Sequence, residues 1–458
     1  MSAISTGTGL RHDASCAMHH ASRTGTRSQS LPLGTGFFCL VGFILTQAFT
    51  IPVAVLPTNW ALWPSLPDIF GFGFVLAVLV SEQSPGAGRI RSLASWHLWV
   101  LLLYSVLSFV TLTLPQSETG VGIKYGGFTL VLYLKYIVVA WAASRVPLDE
   151  QRVEWIHRAA FVALVWVAAT SLASRFGFLD LRVFTSRLPS AISGRWAGAL
   201  DSTVGTQNQT PITMLLLAGL ALVTTDYRRR WATTALVVAL GTLVAVLTGS
   251  RQGVVRFAAF TSILLAWRGR KLMLGLVYTA VLAGLLLDAG STFVAAPGST
   301  AESALERQRV LFDDPLTDDG LSGRPLIWAR TIETLNDHPR FYLTGAGLGS
   351  YVEYGGASHN MILQLLLEGG VIALLLYITC YGAMLRRLWS IRNRAWPMVA
   401  ATAALLTSLM TSEVLYPTLA TGWYLGLYFV SLQVAAGTPR ETGASRRAAL
   451  DRRREGTS

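Results

Sequence analysis

Long uninterrupted apolar stretches, rather than helical or strand periods, set the pattern of this chain. Stretches able to span about 30 Å of hydrocarbon fall at 36–56, 62–80, 94–114, 126–143, 156–173, 209–225, 232–248, 252–267, 271–288, 361–385, 396–412 and 419–436. They predict an all-α, polytopic membrane protein with about twelve transmembrane helices over residues 34–437. Pro64, Pro67 and Asp68 interrupt the second stretch. Residues 1–33, rich in Ser, Thr, Arg and His, and the Arg-rich segment 438–458 have little to bury and read as disordered tails. No internal repeat is evident.

The composition agrees, with 52% hydrophobic and 14% charged residues. The first apolar run is too long for a signal-peptide core and continues into Pro57 and Thr58, so it is expected to stay as a helix. Lysine and arginine orient the spans, because short basic loops stay in the cytoplasm. With the N-terminus inside, 24 of the 37 Lys and Arg residues fall on the inner side, 12 on the outer side and Lys135 within the membrane. Both termini are then cytoplasmic, and the loops 174–208 and 289–358 face outward. The net charge of +12 is mainly this orientation signal. The basic residues alternate with spans instead of forming one patch, which argues against nucleic acid as a partner. Cys39 and Cys380 lie in apolar spans and Cys16 in the inner tail, leaving none for an outer disulfide.

Loop 289–358 is the one extramembrane segment large enough to fold. Pro325 fits the first turn of a helix carrying the stripe Trp328, Ile332, Leu335, and that helix should end before Pro339. Arg324 then opens the helix, and Gly345, Gly347 and Gly349 turn the chain back to the membrane.

Several outer residues could carry chemistry. Ser358 is a plausible N-cap, and His359 stands at the mouth of span 361–385. Asn360, Gln364 and Glu368 follow at i, i+4, i+8 as a polar stripe facing a cavity or forming a packing seam. Arg251, in Thr248-Gly249-Ser250-Arg251-Gln252-Gly253, reads either as a snorkelling anchor or as a fork offered to phosphate oxygens beside free backbone N–H groups. Arg195 in Gly194-Arg195-Trp196 and Asn208 before the next span form a third outer element, readable as a loop and a helix cap. Mid-span Lys135 is a functional candidate, or pairs with Glu368 or a backbone carbonyl. His338, before a proline, reads as a capping cation at a helix end. The acidic run Asp313–Asp319 reads as a solvated loop, and no His and carboxylate cluster at metal-ligand spacing occurs on the outer side.

Gly249-Ser250-Arg251, then Arg324 with Trp328, His338-Pro339 and the Gly345-Ala346-Gly347 turn, then His359-Asn360 with Gln364, Glu368 and Gly369, resemble in that order the O-antigen ligase and Wzy polymerase superfamily. The resemblance covers roughly residues 190–375. It implies a GT-C-related fold in the bacterial cytoplasmic membrane, an undecaprenyl-diphosphate-linked glycan as donor and a glycan or lipid acceptor. It also implies neither metal nor cofactor, with Arg251, Arg324 and His359 as the functional residues. Arg195, Asn208, Asn360, Gln364 and Glu368 are the candidate substrate contacts. The outer loop, about seventy residues by the limits above, is short for the family. Elementary chemistry agrees: a departing diphosphate gathers negative charge that arginines stabilise, and His359 suits the attacking hydroxyl's proton or, alternatively, donates a hydrogen bond to the diphosphate. A twelve-span transporter or lipid-linked glycan flippase is the alternative, although its polar groups would be expected near the midplane.

Cysteines substituted for Ser299 and Ser322 should react with an impermeant thiol reagent in intact spheroplasts. Labelling only after lysis would reverse the orientation.

Overall fold

A computed structural model describes residues 31–50, 65–81, 95–117, 120–181, 200–206, 208–225, 231–266, 324–412, 414–417 and 424–438. Its helices are α1 (Leu31–Thr46), α2 (Leu66–Ser81), α3 (Ser95–Ser108), α4 (Val121–Ala143), α5 (Glu150–Arg175), α6 (Gln209–Val223), α7 (Trp231–Leu247), α8 (Arg251–Ala266), α9 (Arg324–Asp337), the single turn α10 (Phe341–Thr344), α11 (Met361–Ser390), α12 (Arg392–Leu406) and α13 (Tyr424–Gly437). A π-helical turn, Phe109–Thr113, carries α3 on into Leu114–Gln116. Two short antiparallel strands, β1 (Leu200–Ser202) and β2 (Gly205–Thr206), pair Leu200 with Thr206 and Ser202 with Gly205.

Among the described residues, the helices Trp96–Gln116, Val121–Ala143, Glu150–Arg175 and Met361–Ser390 are long and apolar enough to cross a bilayer. Shorter apolar helices occupy Gly34–Thr46, Leu66–Ser81, Gln209–Val223, Ala232–Leu247 and Tyr424–Gly437. The protein is thus a helical, polytopic membrane protein. The expected span 271–288, most of the two tails and the first part of loop 289–358 lie outside the described residues.

The first helix ends ten residues before the apolar stretch does. Its last turn is occupied by Thr46, whose hydroxyl donates back to Gly42 O at 2.8 Å. The residues beyond it then bond to the β-hairpin instead of continuing the helix. Thr50 N donates to Thr203 O at 3.1 Å, and Thr203 Oγ1 donates to Ala48 O at 2.5 Å.

Two helices form the centre. Every residue from Thr210 to Val223 of α6 is buried, as is every residue from Tyr424 to Ala435 of α13. Sequences apolar on all sides suit helices enclosed by others, and α6 packs against α5, α7, α8, α12 and α13. Small residues allow the close approach: a Cβ on Gly219 would stand 3.1 Å from Ala401 Cβ of α12.

The mid-membrane lysine has a partner on a different helix from the one expected. Lys135 Nζ of α4 donates to Asp68 Oδ1 of α2 at 3.0 Å, in place of Glu368. Asp68 also accepts from Ser65 N at 2.8 Å, capping the start of α2. The carboxylate that interrupts the second apolar stretch therefore compensates Lys135 and satisfies a helix terminus at once.

Helix α11 is not one rod. Gly370 adopts φ 64°, ψ −166°, a conformation open to glycine alone, and splits the expected span into two halves. A break at membrane depth exposes backbone carbonyls that must find donors within the protein. The glycine turn supplies them: Ala346 N donates to Leu367 O at 2.7 Å and Gly347 N to Glu368 O at 3.0 Å. Tyr104 of α3 donates to Gly369 O at 2.7 Å, and Thr113 Oγ1 to Leu348 O at 2.8 Å. The turn leading back to the membrane, expected from Gly345, Gly347 and Gly349, is thus wedged into the break itself.

Gly370→Ala should destabilise the protein. The added Cβ would lie 2.2 Å from Leu343 O at positive φ, whereas a Cβ on Gly382 of the same helix meets nothing within 4 Å. Thermal unfolding in detergent should show a loss of about 1–3 kcal/mol for Gly370→Ala and none for Gly382→Ala. Equal melting of the two variants would refute the docking of the turn into the break.

Candidate active site

One end of the bundle gathers the sequence candidates. Asn208 occupies the N-cap position of α6, Arg251 opens α8, Arg324 opens α9 and Asn360 caps α11. Ser250 Oγ donates to Asn208 Oδ1 at 3.2 Å, joining the starts of α6 and α8. Gln252 Nε2 donates to Thr411 O at 2.6 Å, and Met361 N donates to Leu409 O at 2.9 Å. The turn after α12 therefore touches both the Arg251 helix start and the segment that follows His359. Helix starts present unsatisfied N–H groups and the positive end of the helix dipole, so this end of the bundle suits an anion before any arginine is counted. Arg195 lies outside the described residues.

His359 is the one non-glycine residue with positive φ, at 52°, among the described residues. A histidine held in the left-handed region needs firm neighbours, and it has them on both sides. Asn360 Oδ1 accepts from Ile362 N at 3.0 Å and Leu363 N at 3.2 Å, so Asn360 is the N-cap rather than Ser358. Ser358, fully buried, donates its hydroxyl to Asn360 O at 2.8 Å, and its N–H donates to Gln364 Oε1 at 3.1 Å. The cap shifts by two residues because φ 52° at His359 turns the chain between the two polar side chains.

The polar stripe continues inward as a connected seam. Gln364 Nε2 donates to Glu368 Oε1 at 2.7 Å, and Glu368 Oε2 accepts from the Tyr416 hydroxyl. Gln364, Glu368 and Tyr416 are all buried. Burial, and then the neighbouring Glu368 carboxylate, push the Tyr416 hydroxyl well above its ordinary pKa, so it stays protonated and remains the donor. Tyr133 and Tyr377 pack on Tyr416 with ring centroids 6.4 Å and 5.9 Å away.

Arg324 stands at the start of α9 as expected, and α9 ends at Asp337, before Pro339. The buried face of α9 is Thr331 and Leu335, whereas Ile332 of the expected stripe is 43% exposed. His338, the expected helix-end cation, lies against the Phe341 ring at 4.9 Å between centroids. Arg324 is close enough for its positive charge to act on Arg256, a residue of α8 that is 0% exposed.

Arg256 and Tyr416 are the additions that the structure makes. An arginine inside the apolar stretch 252–267 was a signal available in the sequence, because a charge at that depth is functional by default. A lone tyrosine in a connecting loop gave no signal. Lys135, paired with Asp68 between α2 and α4, is not tied to the polar seam by any described hydrogen bond.

Comparison with known proteins meets this geometry from another direction. Residues 234–378 match the O-antigen ligase family model. The chain is also similar to an O-antigen ligase from Pseudomonas aeruginosa, 25% identical over 382 residues, covering 78% of this chain and 82% of that protein. Both findings support the O-antigen ligase and Wzy polymerase superfamily, in agreement with the motifs. Arg251, Arg256, Arg324, His359, Asn360, Gln364 and Glu368 fall inside the matched segment, and Asn208 and Arg195 before it.

Glu368→Ala should leave both the Gln364 amide and the Tyr416 hydroxyl without their buried partner, at about 1–3 kcal/mol for each orphaned group. Tyr416→Phe, which removes a single donor to the Glu368 carboxylate and leaves the Gln364 bond in place, should cost less. Reversed order of the two melting temperatures in detergent would show that the seam is not what holds this region.

Proposed function

We propose that this protein, a multi-pass membrane protein of O-antigen ligase type, transfers a glycan from undecaprenyl diphosphate to an acceptor hydroxyl at the outer face of the cytoplasmic membrane. The family points to ligase- or polymerase-type work in envelope glycan assembly. The finer reading rests mainly on one observation: a strained, half-buried histidine at a capped helix start, at the same end of the bundle as two arginines that open helices.

In this reading the acceptor oxygen attacks the anomeric carbon of the donor sugar. The bond from that carbon to the diphosphate oxygen breaks, and undecaprenyl diphosphate leaves with the electron pair. Arg251 and Arg324 bind its oxygens and gain most where the negative charge develops. His359 accepts the hydroxyl proton as the general base. Asn360, Gln364 and Glu368, assigned from the sequence to substrate, act here mainly by fixing the His359 turn. Asn208 and Arg195 are reserved for the sugar or the acceptor. The chemistry requires no nucleotide and no metal, since the bond energy lies in the donor and the positive charge comes from side chains.

Purified protein given lipid-linked glycan and acceptor should form product in EDTA without nucleotide. Arg251→Ala, Arg324→Ala and His359→Ala should each lose at least a hundredfold in turnover at normal abundance. The His359 variant should still bind donor lipid, and lysine in place of either arginine should rescue only partly. Lipid movement across a bilayer without release of undecaprenyl diphosphate would identify a flippase and overturn the proposal. Product formation that depends on a divalent cation would overturn the mechanism.

A further inference from the structure

Arg256 is the largest fully buried side chain among the described residues. Its Nε donates to Ser408 Oγ at 2.7 Å, and its Nη2 donates to Gln252 Oε1 at 2.8 Å. The third nitrogen, Nη1, is buried with no hydrogen-bond partner. No carboxylate pairs with this guanidinium among the described residues; the ionisable groups near enough to act on it are the Tyr424 hydroxyl and then the like charge of Arg324. A buried cation without a counter-charge is costly, so a purely structural tie between two helices would be an expensive way to use an arginine.

The position of the bonds explains its use. Gln252, the residue after Arg251, is held at one end by Arg256 and at the other by Thr411 O. Ser408, held by Arg256, opens the turn whose Leu409 carbonyl accepts from Met361 N, two residues after His359. The planar fork thus grips the first turn of α8 and the turn after α12 together. Through that second turn it reaches the capped start of α11.

We propose that Arg256 is a positioning residue for glycan transfer: its fork sets the spacing between the Arg251 helix start and the His359 turn. This rests on the assignment of Arg251 to the donor diphosphate. Arg256 itself acts through Gln252, Ser408 and the 408–411 turn. A lysine would keep the charge but could not hold both partners in one plane.

The test measures donor KM and turnover with purified wild-type protein, Arg256→Met, Arg256→Lys and Ser408→Ala, followed by Arg256→Met in an Arg251→Lys background. Turnover should fall at least tenfold in both Arg256 variants and several-fold in Ser408→Ala, with smaller changes in donor KM, because Arg251 gains most in the transition state. Because the effect passes through Arg251, Arg256→Met should add less than twofold to the loss already caused by Arg251→Lys. Wild-type turnover in Ser408→Ala and in a folded Arg256→Met would overturn the inference, as would full rescue by lysine. An equal loss in the wild-type and Arg251→Lys backgrounds would also overturn it, since it would indicate general weakening of the fold. Should Arg256→Met not fold, Ser408→Ala and Arg256→Lys decide the matter alone. If the wild-type protein makes no glycosidic product, or Arg251→Ala is fully active, it is instead the proposed reaction that fails.

Discussion

The docking of the glycine turn into the broken helix is the constraint on which the site depends. Without water, a helix interrupted within the membrane leaves carbonyls that no lipid can satisfy. Leu367 and Glu368 offer those carbonyls, and Ala346 and Gly347 answer them with N–H groups. The glycines at 345, 347 and 349, all at positive φ, are there because a side chain at any of them would strike backbone or side-chain atoms of the neighbouring segments at under 3 Å. A short non-helical turn therefore does the work of a missing helical hydrogen-bond ladder. In doing so it brings α9 and α10 against the start of α11, where His359 lies. The site and the break belong to one arrangement, because the freed carbonyl of Glu368 belongs to the residue whose side chain anchors the polar seam.

Much of the fold was legible because hydrophobicity in a bilayer is a long-range signal. Eleven of the twelve apolar stretches contain a described helix, although their limits moved where a local bond competed with the helix, as at Thr46 and Thr50. The starts of α8 and α9 were readable from Ser-Arg and Arg-Pro, since capping and proline geometry are set by adjacent residues. What the sequence could not supply was pairing across the fold. Asp68 and Lys135 stand 67 positions apart, so nothing local links them. The same holds for Tyr416 and Glu368, 48 positions apart. Ser358 and Asn360 are both good caps by composition, and only the backbone angle at His359 decides between them.

The two mid-helix cations resolve the problem of buried charge in opposite ways. Lys135 meets a carboxylate that is itself tied to a helix start, a closed arrangement that joins α2 to α4. Among the described residues Arg256 hydrogen-bonds only a hydroxyl and an amide oxygen, both neutral, with the Tyr424 hydroxyl and the like charge of Arg324 nearby. Removing either cation would disturb packing. Only the second stands without a paired carboxylate among the described residues, at the end of the bundle where the helix starts converge.

That convergence bears on how the diphosphate site proposed above could be built in a chain with so few charged residues. The starts of α6, α8, α9 and α11 carry Asn208, Arg251, Arg324 and Asn360, and each helix start adds roughly half a unit of positive charge of its own. Fixed dipoles of this kind need no reorganisation when negative charge develops, provided that the helices cannot drift apart. The bonds from Ser250 to Asn208, from Gln252 to Thr411 and from Met361 to Leu409 are what hold α6, α8, α11 and the turn after α12 in register. Rigidity at this end of the bundle is therefore part of its electrostatics: the field that favours an anion is only as strong as the ties that keep its sources aimed at one place.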